Sequence, residues 1–373
     1  MSCFLNFHLT LAVNCSQCKP KYIATALFGL LYIASSSGET LAVKALNYAN
    51  EPLSLPGYTA LLSNQMWIFM IPIYVMIRTK EDIPFAYMYQ YIGMGTLLFM
   101  ITLFRNISLN VLPGSVFSLL ISTSIVFNMF LTWLLLKKTF NKWHLCATVL
   151  CLASALSIGV YAFVAPQEMK IDEMGVLLAI GSAFFIALMG VWQEYLLPSW
   201  SNVNLRIVEL TLVSSVVASS LLVCFSTFSG EFKLWDPALT YSSQTTPGLI
   251  LVVCISLALP ILKLLARNSK YSAIQNSNAF FFEFIQASSA LLCSVASILL
   301  FNEPWSVGYS IAFVCMTLSF MSYIQAKRLA KSTKEKAQQV KNKVNPIVLI
   351  IQNPLGNIPT EDPKNISVVE SWK

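Results

Sequence analysis

Two carboxylates, Glu39 and Glu283, stand inside long apolar stretches. A charge at the centre of a bilayer helix costs at least ~2.5 kcal/mol on insertion scales, so each carboxylate needs a partner or a use. Ser35 and Ser36 precede Glu39 at i−4 and i−3, and with Gly38 they form a polar strip of the kind that lines a central cavity or a helix contact. Gln286, Ala290 and Ser294 continue the face of Glu283 at helical spacing, while Phe281, Phe284 and Ile285 occupy the other side. Such a strip turns to protein or water and away from lipid. A desolvated carboxylate there can bind substrate or take up and release a proton.

Lys44 lies near the end of the same stretch as Glu39. Its stem can snorkel to the headgroups, or turn inward to pair with Glu39 or an anionic substrate. Ser124, Asn128 and Thr132 recur every four residues, and Asn128 is the candidate contact among them. Asn64 and Gln65 offer amide hydrogen bonds beside Trp67, a stacking or packing aromatic. Glu39, Lys44, Asn64, Gln65, Asn128, Glu283 and Gln286 are therefore the candidate substrate-binding or coupling residues. Gln193, Glu194, Arg206 and Glu209 read as interface residues at span ends, where charge is inexpensive.

Catalytic chemistry finds little support. No Asp falls inside an apolar stretch, and His8 and His144 lie in or near loops. Most of the nine cysteines sit where a thiol packs as a small hydrophobe, and the one CxxC, Cys15 and Cys18, lacks a second pair. No enzyme activity, cofactor, metal or nucleic-acid partner is expected.

The elements that position these groups follow from composition. Hydrophobic residues make up 56% of the 373 and charged residues 11%, against roughly 25% charged in soluble domains. Apolar stretches of about 20 residues recur along the chain, which predicts an all-α, polytopic membrane protein. Ten spans are expected: Tyr22–Asn47, Tyr58–Ile77, Tyr87–Phe104, Pro113–Leu136, Trp143–Val164, Met174–Leu196, Ile207–Phe228, Pro247–Ala266, Asn278–Phe301 and Trp305–Gln325. With the amino terminus in the cytosol, 20 of the 24 Lys and Arg fall on that side, Lys263, Arg267 and Lys270 among them, while Arg105 falls on the other. This is the asymmetry of the positive-inside rule, and an even span count returns the carboxyl terminus to the cytosol.

The halves share a likeness. Leu134-Leu135-Leu136-Lys137-Lys138 ends the fourth span, and Leu299-Leu300-Phe301-Asn302-Glu303 ends the ninth. Five spans per half is odd, so a duplicated half must be upside down, and the exchange of lysines for Glu303 is what inversion produces. The expected organisation is a cytosolic tail over 1–21, inverted five-helix repeats over 22–165 and 172–326, and a basic, disordered cytosolic tail over 327–373.

Leu112-Pro113-Gly114-Ser115-Val116-Phe117-Ser118-Leu119-Leu120, the following Ser122 to Asn128, and the exit through Lys137 and Lys138 resemble the drug/metabolite transporter superfamily. The likeness extends to its EamA-like, solute carrier 35-like, chloroquine-resistance-transporter-like and purine-permease-like branches. The asparagine–lysine signature of nucleotide-sugar carriers is missing from the first span. The resemblance implies alternating access, with spans one to four and six to nine around a cavity and spans five and ten peripheral. The expected function is secondary-active transport of small organic solutes or metabolites, by exchange or proton coupling. A non-transporting receptor or scaffold is the alternative. The expected partners are a small-molecule substrate and the bilayer, with a homodimer left open, in an endomembrane such as Golgi or vacuole, or in the plasma membrane. Asn106-Ile107-Ser108 falls in a short loop, a poor glycosylation site, and Asn365-Ile366-Ser367 in the cytosolic tail.

Overall fold

The computed structural model describes residues 20–49, 56–78, 87–164, 172–196, 203–231, 246–276, 279–303 and 307–326. Residues 1–19 and 327–373, with Cys15, Cys18 and Asn365 among them, and Lys170, Lys233 and Asn278 lie outside them. The chain clusters into two units, Met1–Tyr323 and Ile324–Lys373, and of the second only 324–326 are described.

Every described element is helical: α1 (Pro20–Ala49), α2 (Pro56–Ser63), α3 (Trp67–Arg78), α4 (Met88–Val111), α5 (Gly114–Ile121), α6 (Ser124–Leu136), α7 (Lys142–Val164), α8 (Glu173–Leu196), α9 (Val203–Phe228), α10 (Thr246–Asn276), α11 (Ala279–Phe301) and α12 (Val307–Ala326). Helices α2 and α3 form one span broken at Asn64 to Met66, and α5 and α6 one span broken at Ser122 and Thr123. Among the described residues ten spans result, eight of them long and apolar enough to cross a bilayer. The protein is an integral, multi-pass membrane protein: backbone amides have no water partner in hydrocarbon, and helices satisfy them internally.

The breaks are satisfied locally. Asn64 and Gln65 donate to the carbonyls of Ala60 and Leu61, each at 3.2 Å, and the Ser122 and Thr123 hydroxyls return to Leu119 and Leu120 at 2.5 and 2.7 Å. Exposed Leu, Ile, Val and Phe, such as Leu30, Phe130, Leu156 and Leu299, cover the outside of the bundle, as suits a lipid-facing surface.

Successive spans alternate in direction, giving a near face, where α1 begins, and a far face, where it ends. Far-face ends meet through Lys44, whose ammonium donates to the carbonyls of Leu109 and Leu112 at 3.0 and 2.8 Å, and through Ser108, which donates to Gly175 at 2.9 Å. Near-face ends meet through Lys138–Glu194 at 2.6 Å, through the Tyr91 hydroxyl, which donates to Glu209 at 3.1 Å, and through His144 against the Tyr323 ring.

Helix packing repeats between the halves. The first span packs most extensively on the eighth, and the sixth packs on the third; the first also packs on the ninth, and the sixth on the fourth. Shifting every span by five carries each of these contacts into its partner, as inverted repeats require. Lys137 and Asn302, aligned in the sequence likeness, both close their helices in the left-handed conformation, with φ of 51° and 50°.

Gly95 marks a close approach of the third and seventh spans. A Cβ there would lie 2.7 Å from Val217 Cβ and 3.0 Å from the Ser214 carbonyl, which is backbone and cannot turn away. Gly95→Ala is expected to destabilise the protein by about 1–3 kcal/mol, the usual cost of overpacking, read as a lowered Tm of the detergent-solubilised protein.

Candidate functional site

A cavity lies in the middle of the bundle, walled by spans one, three, four, six, eight and nine. The second and seventh spans contribute no wall residue, which narrows the ring implied by the family resemblance; the fifth and tenth also stand outside. One apolar cluster, including Val43, Leu109, Leu119 and Tyr309, lies on its far side, and another, including Tyr91, Leu196, Ile207 and Phe282, on its near side.

Of the residues singled out from sequence, Glu39 and Gln286 line this cavity. Glu39 pairs with Arg105 at 3.1 Å, and Arg105 also donates to the Thr40 hydroxyl at 2.5 Å. Gln286 accepts from the Tyr32 hydroxyl at 3.3 Å and donates to Ser124 at 3.2 Å. Glu283 sits behind that wall, accepting from Ser124 at 2.5 Å and from Asn128 at 3.3 Å, while Asn128 accepts from Thr132 at 3.1 Å. These bonds tie Glu283 and Asn128 to the cavity through Ser124 and Gln286.

Lys44, Asn64 and Gln65 are not cavity residues. Lys44 bonds the carboxyl end of α4, where the orphan carbonyls of a helix end favour a cation. The two amides serve the break between α2 and α3.

The structure adds a feature that the sequence reading placed elsewhere. Hydropathy ends the eighth span at Ala266, but α10 continues to Asn276, so Lys263, Arg267 and Lys270 belong to the span and are buried, with 7%, 6% and 5% exposure. All three line the cavity. Arg105, expected beyond the third span, is likewise one of its wall residues. The spacing of i, i+4 and i+7 was the available signal, because it puts three cations on one helical face.

These cations are held by neutral groups. Lys263 donates to Thr102 and Ser63 at 3.0 and 3.3 Å. Arg267 donates to Tyr271 and Ser214 at 2.9 and 2.6 Å, and its remaining terminal nitrogen is buried with no hydrogen-bond partner. The Lys270 ammonium lies 5.2 Å from the centre of the Phe282 ring. Among the described residues none of the three forms a salt bridge, and the one carboxylate in the wall, Glu39, is taken by Arg105.

Other polar groups expected at the interface or in loops are also buried. Glu209 is fully buried, accepting from Arg206 at 2.7 Å and from the Tyr91 hydroxyl at 3.1 Å. Asn106 lies inside α4 with its amide donated to Thr102 at 2.9 Å, so that sequon is not in a loop.

An inverted bundle of ten spans around a polar, central cavity is an architecture that membrane carriers use. Residues 23–160 match the EamA-like transporter family, a member of the drug/metabolite transporter superfamily. That stretch covers the first five spans. No curated protein matches the sequence. A solved structure described only as "Crystal structure of protein" superposes with a TM-score of 0.55 over 82% of this chain and 98% of its own, at 12% identity, a likeness of fold alone.

Removing one member of a buried ion pair strands the other, at a cost of about 3–5 kcal/mol. Arg105→Ala is expected to lower the Tm markedly, and Arg105→Ala with Glu39→Gln to recover part of the loss. Equal melting of the single and double variants would show that the pair is not coupled.

Proposed function

We propose that this protein carries small organic anions, bearing carboxylate or phosphate groups, across its membrane by alternating access. The observation that carries the reading is the cavity wall: four cations, Arg105, Lys263, Arg267 and Lys270, against the single carboxylate Glu39. Taking a charge out of water costs several kcal/mol even after relaxation, and a charge partner must supply the compensation. A bound anion does so. Arg267, with a free buried nitrogen, suits a forked oxyanion, and Lys263 and Lys270 suit point contacts on either side. The match of the first half to a transporter family supports the same reading, and catalysis has no role in it.

Exchange and proton coupling are both compatible with Glu283, a buried carboxylate linked to the wall. Removing Lys263, Arg267 and Lys270 from the cytosolic count of 20 leaves 17 of the 24 Lys and Arg there, so the cytosolic placement of both termini retains its support.

Proteoliposomes with a panel of dicarboxylates, organophosphates, neutral solutes and organic cations, with and without a pH gradient, test the reading. Uptake of anions alone is expected, and Lys270→Gln or Arg267→Gln should raise KM by about tenfold or more, as loss of a charge-assisted contact does. Uptake confined to neutral or cationic solutes would overturn it.

A further inference from the structure

The far face contains the same small structure twice. Leu55-Pro56-Gly57 precedes the second span, and Leu112-Pro113-Gly114 precedes the fourth. Each of these helix starts is held by a glutamate from just beyond a span of the other half. Glu231, after the seventh span, accepts from the backbone N–H groups of Gly57 and Tyr58 at 3.2 and 3.0 Å. Glu303, after the ninth, accepts from those of Gly114 and Ser115 at 2.7 and 3.1 Å. The first N–H groups of a helix have no intrahelical partner, and the helix dipole favours an anion there.

The surroundings are paired as well. Each glutamate is 8% exposed. Each follows a residue in the left-handed conformation, Gly230 at φ 77° and Asn302 at φ 50°. Each glycine lies where a Cβ would strike a serine hydroxyl of the opposing span, Ser226 at 2.6 Å and Ser297 at 2.5 Å. Around Glu303 the hold is stronger: Ser297 donates to it at 2.9 Å, and Ser115 bonds both Glu303 and the Tyr309 hydroxyl.

An ordinary cap joins parts that move together. These two join the first half to the second, and the span pairs they tie, two with seven and four with nine, are among those that five-span inversion maps onto themselves. Rocking of one half against the other must strain or part these contacts on the face that opens. Among the described residues the near face has no counterpart of Glu303: the aligned residue is Lys138, whose side chain is 50% exposed and pairs with Glu194. A lysine cannot accept from a helix N-terminus.

We infer that Glu231 and Glu303 form a twin latch that holds the far face shut and must release for the cavity to open there. They are positioning residues acting on the gate and do not touch the cavity, since neither is among its wall residues.

Cys293, a buried wall residue of the cavity, is a native reporter of opening. In a background retaining Cys293 as sole cysteine, sealed vesicles are exposed to a membrane-impermeant maleimide on each face in turn. Glu173→Cys, at the exposed far-face start of α8, marks that face in a parallel sample. Glu231→Gln and Glu303→Gln are each expected to raise labelling of Cys293 from the far face by about tenfold, the effect of losing a strong helix cap, and the double variant further. Gly114→Ala keeps the charge but crowds Ser297, and should raise labelling in the same direction, so the latch is tested even where a Glu variant folds poorly. Unchanged labelling in folded Glu231→Gln and Glu303→Gln protein overturns the inference, as does an equal rise in far-face labelling from Glu209→Gln, whose carboxylate is at the near face. Labelling uses no substrate, so failure here is distinct from failure of the anion reading.

Discussion

An ionised group inside a lipid-surrounded bundle has lost its water, and the buried charges among the described residues are placed by how that loss is made good. Glu39 is compensated by Arg105, Glu209 by Arg206 and Tyr91, and Lys44 by the carbonyls at the end of α4. Glu231 and Glu303 are compensated by helix N-termini. Lys263, Arg267 and Lys270 form no salt bridge and take hydroxyls and ring faces as partners, with Glu39 and Glu283 reaching the two lysines only at longer range. The first set of charges is matched within the chain. The set without a salt bridge is the basis of the proposed anion site.

The same rule links fold to mechanism. Inverted repeats bring two helices of opposite half together at each step around the centre, so the polar walls from both halves enclose one chamber. Interior packing is dense and bistable, and contacts between halves are the ones that a rocking motion rearranges. Charge-assisted bonds placed between halves therefore set which face is closed, whereas bonds within a half only stiffen it.

Small residues make this possible. Gly57 and Gly114 let a carboxylate reach backbone N–H groups directly, and Gly95 lets two spans touch through backbone. Without a hydrophobic drive between helices in lipid, such close contacts and interhelical hydrogen bonds supply the association. The serine-rich stretches serve largely in this way, returning hydroxyls to the preceding turn or reaching a neighbouring helix, as Ser37 does to Ser289 at 3.0 Å.

The sequence alone determined the helical class, the span count, the alternation of direction and the depth of Glu39 and Glu283. All of these depend on apolar length and charge along one chain, and the bilayer reads those locally. Tertiary structure decided the rest. Hydropathy cut the eighth span at Ala266 because lysine and arginine look like loop residues when no neighbour is visible, yet a cavity lets the helix run to Asn276 with its cations turned inward. Lys44, Asn64 and Gln65 carry the right chemistry for a site, but their partners are backbone carbonyls whose position no spacing rule reveals. Glu303 stood out only as a reversed charge at a repeat boundary; that it closes the start of α5 follows from packing between residues far apart in sequence, which a one-dimensional pattern does not contain.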